Sequence, residues 1–335
     1  MTWSDLDWPR LERLRERFLD GAAAEGPYWE SFGDLASYDR SYGERIGWKW
    51  DQVLRELRMR GWQPGPRARA VLDWGCGSGI AARRVISFFG VEAFDSLSVW
   101  DHAPLAAEFA ADAARRSFPA LRVTEATPRS FAGDSPIGLL VVSHVLNELD
   151  ATALASLRAL VARAAAVLWV EPGAHAVSRR LGRLRDELRD EFRLIAPCTH
   201  AQSCPIFAQG NERHWCHFFA PPPPGVLTDS DWVKFGRRAG IDLRSLPYAF
   251  IALEKSQAGE APGAGSDSTL SRVIGRVERT KPHARLWSCD ASGLAELTLP
   301  KRADPTLWRQ LERTKAPLVY RWRRAGDKIL GGEPP

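Results

Sequence analysis

Three cysteines and three histidines are crowded into one stretch of this sequence, residues 197–218, which read PCTHAQSCPIFAQGNERHWCHF. The cysteines are Cys198, Cys204 and Cys216, and their spacings are unequal. Prolines beside two of them and a Gly-Asn pair bend the backbone repeatedly, which predicts a loop and not a helix. In a reducing compartment, grouped thiols indicate a metal site or catalysis more often than disulfides. The pattern by itself leaves the metal open.

A second stretch that could do chemistry is residues 71–79, VLDWGCGSG, in which glycines alternate behind an aspartate. Glycines at such a turn let the backbone approach a ligand, and the start of the following helix offers free N–H groups. The spacing Asp-x-Gly-x-Gly-x-Gly matches neither dinucleotide sites nor phosphate loops. It resembles the first motif of class I S-adenosylmethionine-dependent methyltransferases.

That resemblance implies S-adenosylmethionine as a cofactor and assigns roles to five residues. Asp73 would lie near the methionine amino end of the cofactor, and Gly75, Gly77 and Gly79 would line it. An acid at the end of the next strand would hold the ribose hydroxyls, and Asp101 stands 22 residues beyond Gly79.

The sequence assigns no catalytic residue. Residues 143–149, SHVLNEL, follow a predicted strand where methyltransferases of this class usually contact their substrates. His144 or Glu148 could act as a base, but a polar side chain here can equally cap a helix, and we favour that structural role. Cys76, inside the glycine turn, is interpreted as a small loop residue and not as a nucleophile or metal ligand.

These residues must be positioned by a sheet. From residue 68, short apolar runs alternate with amphipathic segments, which predicts an α/β fold of the class I methyltransferase (Rossmann-like) type with a doubly wound parallel sheet. Strands are predicted at residues 70–74, 97–101, 121–125, 139–143, 167–171, 241–246 and 248–253, and helices at about 79–89, 104–116, 151–164 and 175–192.

Composition and the positions of prolines and glycines predict the domain organisation. We expect a helical N-terminal cap, a cofactor-binding domain that carries a metal-binding insertion, a flexible linker and a small β-rich C-terminal module. In order, these are residues 1–66, residues 67–256 with the insertion at 195–225, residues 257–268 and residues 269–335.

The positive charge is concentrated at the C-terminal end. Residues 268–335 contain 14 Lys and Arg against 7 Asp and Glu, a net charge of +7, whereas the whole chain carries +5. A basic surface favours a polyanion such as RNA. In the run 320–324, YRWRR, cations are interleaved with aromatic rings on which bases can stack, which favours nucleic acid over a merely solvated face.

No apolar run approaches the ~20 residues that span a bilayer. The N-terminus mixes acids and bases, unlike a secretory signal or a transit peptide. We therefore expect no membrane segment and a cytoplasmic location.

The combination of LDWGCGSG, SHVLNEL, VEPG, APCTHAQSCP and WCHF is similar to the mitochondrial small-ribosomal-subunit methyltransferase-like family, which includes methyltransferase-like protein 17 and bacterial relatives. The resemblance implies a [4Fe-4S] cluster bound by Cys198, Cys204, Cys216 and Cys289, and action on the small ribosomal subunit and its RNA. Several family members resemble enzymes without activity. The resemblance leaves open whether this chain is an rRNA methyltransferase or an inactive assembly factor.

Zinc is the main alternative to the cluster. Three cysteines with His200, His214 or His217 would suit zinc, although zinc sites commonly contain a Cys-x2–4-Cys pair that is absent here. A zinc-stabilised methyltransferase with a substrate other than RNA is therefore a further hypothesis.

Overall fold

The computed structural model describes the following parts of the chain: residue 3 and residues 6–19, 29–131, 133, 135–256, 269–311 and 318–335. The chain forms two compact units, of which the first comprises Met1–Val170 and Pro222–Leu246 and the second Glu171–Pro221 and Pro247–Pro335. The predicted linker, residues 257–268, lies outside the described residues. The predicted domain boundaries stay predictions.

The first unit begins with helices. They are α1 (Trp8–Leu19), α2 (Phe32–Tyr38) and α3 (Glu44–Met59), and a π-helical turn, Asp39–Gly43, joins the last two. Ser31 starts α2 with a capping box, because its hydroxyl accepts the Asp34 N–H while the Asp34 carboxylate accepts the Ser31 N–H.

A parallel sheet follows in the first unit, in the strand order β3-β2-β1-β4-β5. Its strands are β1 (Ala70–Trp74), β2 (Ser96–Trp100), β3 (Arg122–Glu125), β4 (Ile137–Ser143) and β5 (Ala164–Pro172). The connecting helices are α4 (Ile80–Phe89), α5 (Pro104–Ser117) and α6 (Ala151–Arg163). The central strands are buried on both faces, as expected for apolar runs in a sheet that helices cover. The predicted doubly wound sheet is confirmed.

The second unit begins with α7 (His175–Leu188), β6 (Phe192–Ala196) and β7 (Phe218–Ala220). After α8 (Ser230–Ala239), which belongs to the first unit, β8 (Leu246–Lys255) pairs with β7 and runs antiparallel to β6.

Two sequence predictions in this region were wrong. Helix α7 ends at Leu188, four residues before the predicted end, because the chain turns there into β6. Instead of two strands at 241–246 and 248–253 there is one, β8. The Asp242 carboxylate accepts the backbone N–H of Arg244 at 2.9 Å, so the chain forms a local turn where the first strand was predicted.

The C-terminal part of the second unit is a closed five-stranded barrel in the order β10-β11-β13-β12-β9. Its elements are β9 (Ser271–Arg279), β10 (His283–Asp290), β11 (Gly293–Pro300), α9 (Pro305–Gln310), β12 (Val319–Ala325) and β13 (Lys328–Glu333). The interior is filled by alternate residues of the strands, among them Val273, Leu286, Leu297 and Ile329. The small β-rich module is confirmed, whereas its closure into a barrel was not predicted.

Among the described helices, none is both long enough and apolar enough to cross a bilayer.

Candidate functional site

The glycine turn connects β1 to α4 at the carboxyl edge of the sheet. The backbone N–H groups of Gly75 and Cys76 both donate to the carbonyl oxygen of Trp100, the last residue of β2, at 2.8 and 3.0 Å. Gly75, Gly77 and Gly79 have φ angles of +69°, +52° and +76°, a region that favours glycine. The turn is therefore tied to the end of the neighbouring strand, where parallel α/β sheets bind their ligands.

The three glycines differ in what surrounds them. A Cβ on Gly75 would lie 2.6 Å from Cγ1 of Val145, and one on Gly79 would lie 2.8 Å from Cβ of Ala110. A Cβ on Gly77 would have no neighbour within 4 Å. Gly75 and Gly79 are thus required for close packing, whereas Gly77 presents its backbone to open space, as a ligand-lining residue does.

Asp101 follows β2 and faces this turn. One of its carboxylate oxygens accepts the N–H of Gly77 at 2.8 Å, and the other accepts the N–H of Ala103 at 3.0 Å. His102 Nδ1 lies 3.2 Å from the second oxygen. The contact with Gly77 brings together two of the residues predicted to bind the cofactor, although their role in binding stays a prediction.

Asp73, in β1, is fully buried. One carboxylate oxygen accepts the N–H of Ala82 at 3.4 Å, and the other has no hydrogen-bond partner among the described residues. Burial, partly offset by the bond from Ala82, raises the pKa of this carboxyl to about 7. An unpartnered buried oxygen beside the glycine turn is a feature that a bound polar group would satisfy.

Cys76 is buried within the turn, and burial raises the pKa of its thiol well above the usual value. A neutral, buried thiol is a poor nucleophile. The structure thus agrees with the interpretation of Cys76 as a small loop residue.

The N-terminal helices contact the glycine turn through Arg83 of α4. One guanidinium nitrogen donates to the Ser78 carbonyl oxygen at 2.7 Å, and the other contacts both Asp39 carboxylate oxygens at 2.6 and 2.8 Å. Asp39 begins the π-helical turn, and such turns are frequent at functional sites. Sequence reasoning missed this link, because residues 39, 78 and 83 join only in the fold.

A polar network lies at the end of β4. His144 has φ +58°, uncommon for a residue other than glycine. Lys49 Nζ lies 2.9 Å from His144 Nε2, and Ser143 Oγ lies 3.1 Å from His144 Nδ1. Trp50 Nε1 donates to Ser143 Oγ at 2.9 Å. Both ring nitrogens of His144 therefore have partners, and Lys49 is a contributor to this region that the sequence did not indicate.

The electrostatics of His144 follow from these contacts. Burial, and then the nearby charges of Lys49 and Arg45, lower its pKa well below the usual range. The imidazole is therefore neutral at pH 7. Because an ammonium group can only donate, Nε2 accepts from Lys49, which assigns the ring proton to Nδ1.

The predicted cysteine ligands come together in the second unit. Cys204, Cys216 and Cys289 belong to one apolar cluster around Ile206 and Ile274. Burial is the main cause that raises the pKa of each of these three thiols. Cys198 interacts with all three and raises their pKa further. Cysteines from the loop and from β10, far apart in sequence, thus lie in one neighbourhood.

Arginines of α7 hold residues 197–217, the cysteine loop, which carries Cys198, Cys204 and Cys216. Arg185 is buried and donates to the His200 carbonyl oxygen at 2.7 Å and to Asp186 at 2.6 Å. Burial lowers the pKa of Arg185, but the neighbouring Cys198 and Asp186 raise it by more, so the net shift is upward. The loop thus has a buried guanidinium beside Cys198.

Arg179, six residues earlier on α7, holds the other half of the same loop. Its Nη1 donates to the carbonyl oxygens of Ile206, Asn211 and His214 at 3.1, 3.1 and 2.8 Å. In the sequence, the arginines of this helix indicate only a charged helical face, so their inward role was not predictable.

The histidines considered for zinc are arranged differently from one another. His200 Nε2 lies 3.7 Å from the Cys289 sulfur, whereas His214 packs on the Trp287 ring at 4.0 Å and His217 stacks on Trp215 at 4.4 Å. In the part of the chain that the structure describes, no three His, Cys, Asp or Glu side chains form a group that could hold one metal ion. The metal centre stays a prediction.

Comparison with known proteins identifies the family. The model of the family described as mitochondrial small ribosomal subunit Rsm22 matches residues 51–314, which include the glycine turn and all four predicted cysteine ligands. The chain belongs to the Rsm22 family. Among curated proteins, none matches it.

Solved structures resemble this Rsm22-family chain only distantly. The magnesium protoporphyrin IX methyltransferase of Synechocystis, with bound S-adenosylmethionine, has 12% identity and a TM-score of 0.38, over 74% of this chain and 97% of that one. The plantazolicin methyltransferase BpumL has 10% identity and a TM-score of 0.42, over 74% and 99%. An rRNA methylase of Escherichia coli has 11% and 0.37, over 74% and 76%. At such TM-scores these similarities carry no argument about substrate.

Proposed function

We propose that this protein binds S-adenosylmethionine at the β1–α4 turn and methylates RNA of the small ribosomal subunit. The observation that carries the cofactor is the contact between Gly77 N and Asp101 at the carboxyl edge of the parallel sheet. It aligns an open backbone segment with an acid suited to ribose hydroxyls, which is the combination that a nucleoside needs.

The residues at the turn would each contact a different part of the cofactor. Asp101 would accept hydrogen bonds from the ribose, and Gly77 would let the backbone approach the cofactor. Asp73, whose second oxygen has no partner among the described residues, would contact the methionine amino end. Its carboxyl has a pKa of about 7, so an approaching ammonium group would favour the ionised form.

The RNA target rests on two supports. The matching family model is described as mitochondrial small ribosomal subunit Rsm22. In addition, residues 268–335 carry a net charge of +7, whereas the whole chain carries +5. A polyanion partner suits that charge.

A second candidate is an assembly factor that binds the cofactor without transferring its methyl group. The observation that favours it is the pairing of His144 Nε2 with Lys49 Nζ at 2.9 Å, because it engages the ring nitrogen that a general base at this strand end would use. The same pairing would have to open before His144 could take a proton from a substrate.

We also propose that Cys198, Cys204, Cys216 and Cys289 hold a [4Fe-4S] cluster, with zinc as the alternative. The donor set fits, because four cysteines are the common complement of such clusters. Zinc sites commonly contain a Cys-x2–4-Cys pair, which is absent from this loop. When bound, the cluster would supply a cross-link between the loop and β10. A zinc-stabilised methyltransferase with a substrate other than RNA stays the alternative.

Cofactor binding is tested by calorimetry with S-adenosylmethionine on the wild type, Asp101→Ala and Asp95→Ala. Asp95 precedes β2 at its opposite end and pairs with Arg69, so it is a matched surface control. We expect Asp101→Ala to lose affinity by at least about tenfold, a loss that two charge-assisted hydrogen bonds make reasonable, and Asp95→Ala to bind normally. Equal binding by all three proteins would remove the proposed site.

Catalysis is tested by transfer of a labelled methyl group to RNA of immature small subunits. Transfer that disappears in Asp101→Ala supports the methyltransferase. Association with the subunit and cofactor binding without any transfer would instead select the assembly factor.

Metal content is tested on protein purified without oxygen, by analysis of iron, sulfide and zinc. We expect iron and sulfide in the wild type and in Cys76→Ser, and their loss in Cys289→Ser. Stoichiometric zinc without sulfide would contradict the cluster.

A further inference from the structure

The C-terminal barrel has the connectivity of an OB fold. Numbered from β9, its five strands close in the order 1-2-3-5-4, and α9 lies between the third and the fourth. The third and fifth strands, β11 and β13, pair in parallel at Thr298 and Lys328. OB folds bind oligonucleotides on the outer face of strands two and three, between the loops that join strands 1–2 and 4–5.

One half of that outer face is covered. Outward residues of β9, β10 and β11, namely Ile274, Trp287, Cys289 and Leu294, pack in the apolar cluster with the cysteine loop. The ring of His214 lies against Trp287 with centroids 4.0 Å apart. This covered half is therefore not accessible to a nucleic acid strand.

The other half is open and basic. Arg285 of β10 pairs with Thr298 of β11, which pairs in turn with Lys328 of β13, so the three residues form one row across the barrel. Arg285 and Lys328 are exposed. Lys281, in the loop between β9 and β10, is exposed as well. Lys328 is the first residue of β13, next to the β12–β13 turn, whose own residues are Gly326 and the exposed Asp327.

Two acidic residues lie near this row, Glu278 and Asp327, and both are exposed. Glu278 contacts Arg285 at 3.4 Å, but its side chain is 72% exposed and that of Arg285 is 46% exposed. Ion pairs this exposed are weak, so a phosphate can replace the carboxylate. Glu296, the partner of Trp287, lies one row towards the covered half.

The two aromatic residues of the run 320–324 lie on the core side of β12 and not on the open half. Tyr320 is fully buried in the barrel core, and Trp322 packs against that core while its Nε1 donates to Ser288 Oγ at 3.0 Å. The sequence prediction that the Tyr320 ring stacks on bases was therefore wrong, because alternate positions of β12 face inward. For the half-buried Trp322 it stays a prediction. Binding on this face would depend on phosphate contacts, with strong salt dependence and little base specificity.

We propose that the open half of the barrel face, formed by Lys281, Arg285 and Lys328, binds the backbone of single-stranded RNA. This inference rests on the proposed function and names the surface by which the protein holds its RNA. Because the row runs from β10 to β13, the RNA would cross the barrel between the β9–β10 loop and the β12–β13 turn.

The test is fluorescence anisotropy with a labelled oligouridylate of about 12 nucleotides, within the length that one OB fold covers. The full-length wild type is compared with Arg285→Glu/Lys328→Glu and with Arg309→Glu. Arg309 is exposed on α9 and is a matched control for charge reversal on the same barrel. Lys281→Glu, in the loop, provides a second variant that disturbs no strand.

Three phosphate contacts predict a slope of log K against log salt of about −2 for single strands. We expect the double variant to bind at least about tenfold more weakly at low salt and to lose about 1.4 of that slope, and Lys281→Glu to lose about 0.7. Arg309→Glu should bind like the wild type.

Unchanged affinity and slope in the double variant and in Lys281→Glu would overturn this surface. If the wild type still bound small-subunit RNA, the proposed function would stand without it. If the wild type bound neither the oligonucleotide nor small-subunit RNA, both proposals would fall. An equal loss in Arg309→Glu would show that general charge, and not this row, determines binding, and would also overturn the surface.

Discussion

Arg179 is expected to hold the cysteine loop closed, and replacing it by methionine tests this. One guanidinium nitrogen contacts three loop carbonyl oxygens, those of Ile206, Asn211 and His214. Methionine keeps much of the aliphatic stem but removes every donor, together with the guanidinium group that lies 5.0 Å from the centroid of the Phe207 ring. The three carbonyl groups would then have to bond to water instead.

The magnitude follows from the geometry. Nη1 carries two hydrogens, so the three contacts amount to about two full hydrogen bonds, one of them shared. Hydrogen bonds from a charged donor contribute about 1.5–3 kcal/mol each, and water recovers part of this when the loop opens. We expect local stability to fall by about 3 kcal/mol, which corresponds to an increase of about 100-fold in the opening equilibrium of the loop.

Hydrogen exchange measures this directly. The amides of Phe207, Ala208 and His214 donate within the loop and report its opening. The control is Arg183→Met, because Arg183 is exposed and its guanidinium lies 5.7 Å from the Phe207 ring, a contact that contributes about 0.5–1 kcal/mol. If loop amides exchanged at the same rate in Arg179→Met and in Arg183→Met, the role assigned to Arg179 would be refuted.

Three further predictions concern the sheet and the barrel. Gly79→Ala should lower the free energy of unfolding by about 2–4 kcal/mol, and Gly77→Ala should lower it by about 1 kcal/mol. The angle φ is positive at both positions, but only the Cβ at residue 79 would clash, at 2.8 Å from Ala110. Thermal unfolding of the two variants measures the difference. Asp73→Asn should be more stable than the wild type above pH 7, by up to about 4 kcal/mol, and the difference should vanish in acid. Burial raises the carboxyl pKa from 3.8 to about 7, so the wild type loses this stability as pH rises from about 4 to about 7; urea titrations from about pH 3.5 to 8 would reveal no such slope if the carboxyl ionised normally. Trp322→Phe should destabilise the chain by about 1 kcal/mol through its lost hydrogen bond to a serine of β10, and an unchanged midpoint would contradict that role.

The sequence by itself determined the glycine turn and the parallel sheet. Asp73, the three glycines and Asp101 could be recognised because turn chemistry is local and each residue type has few conformations open to it. The four cysteines could likewise be selected by type. Their grouping with Cys289 was implied by resemblance, and the fold places them in one neighbourhood without testing what they bind.

Only the tertiary structure decided which side chains meet. Lys49 and His144 lie 95 positions apart, and nothing local indicates their contact. The barrel required the parallel pairing of Thr298 with Lys328, which follows a helix and a hairpin. Register also decided that Tyr320 faces the core while Arg285 faces outward, since a shift of one residue would exchange the two faces. Register depends on all strand pairings at once, so it is determined by the packing of the whole barrel and not by any segment of the sequence.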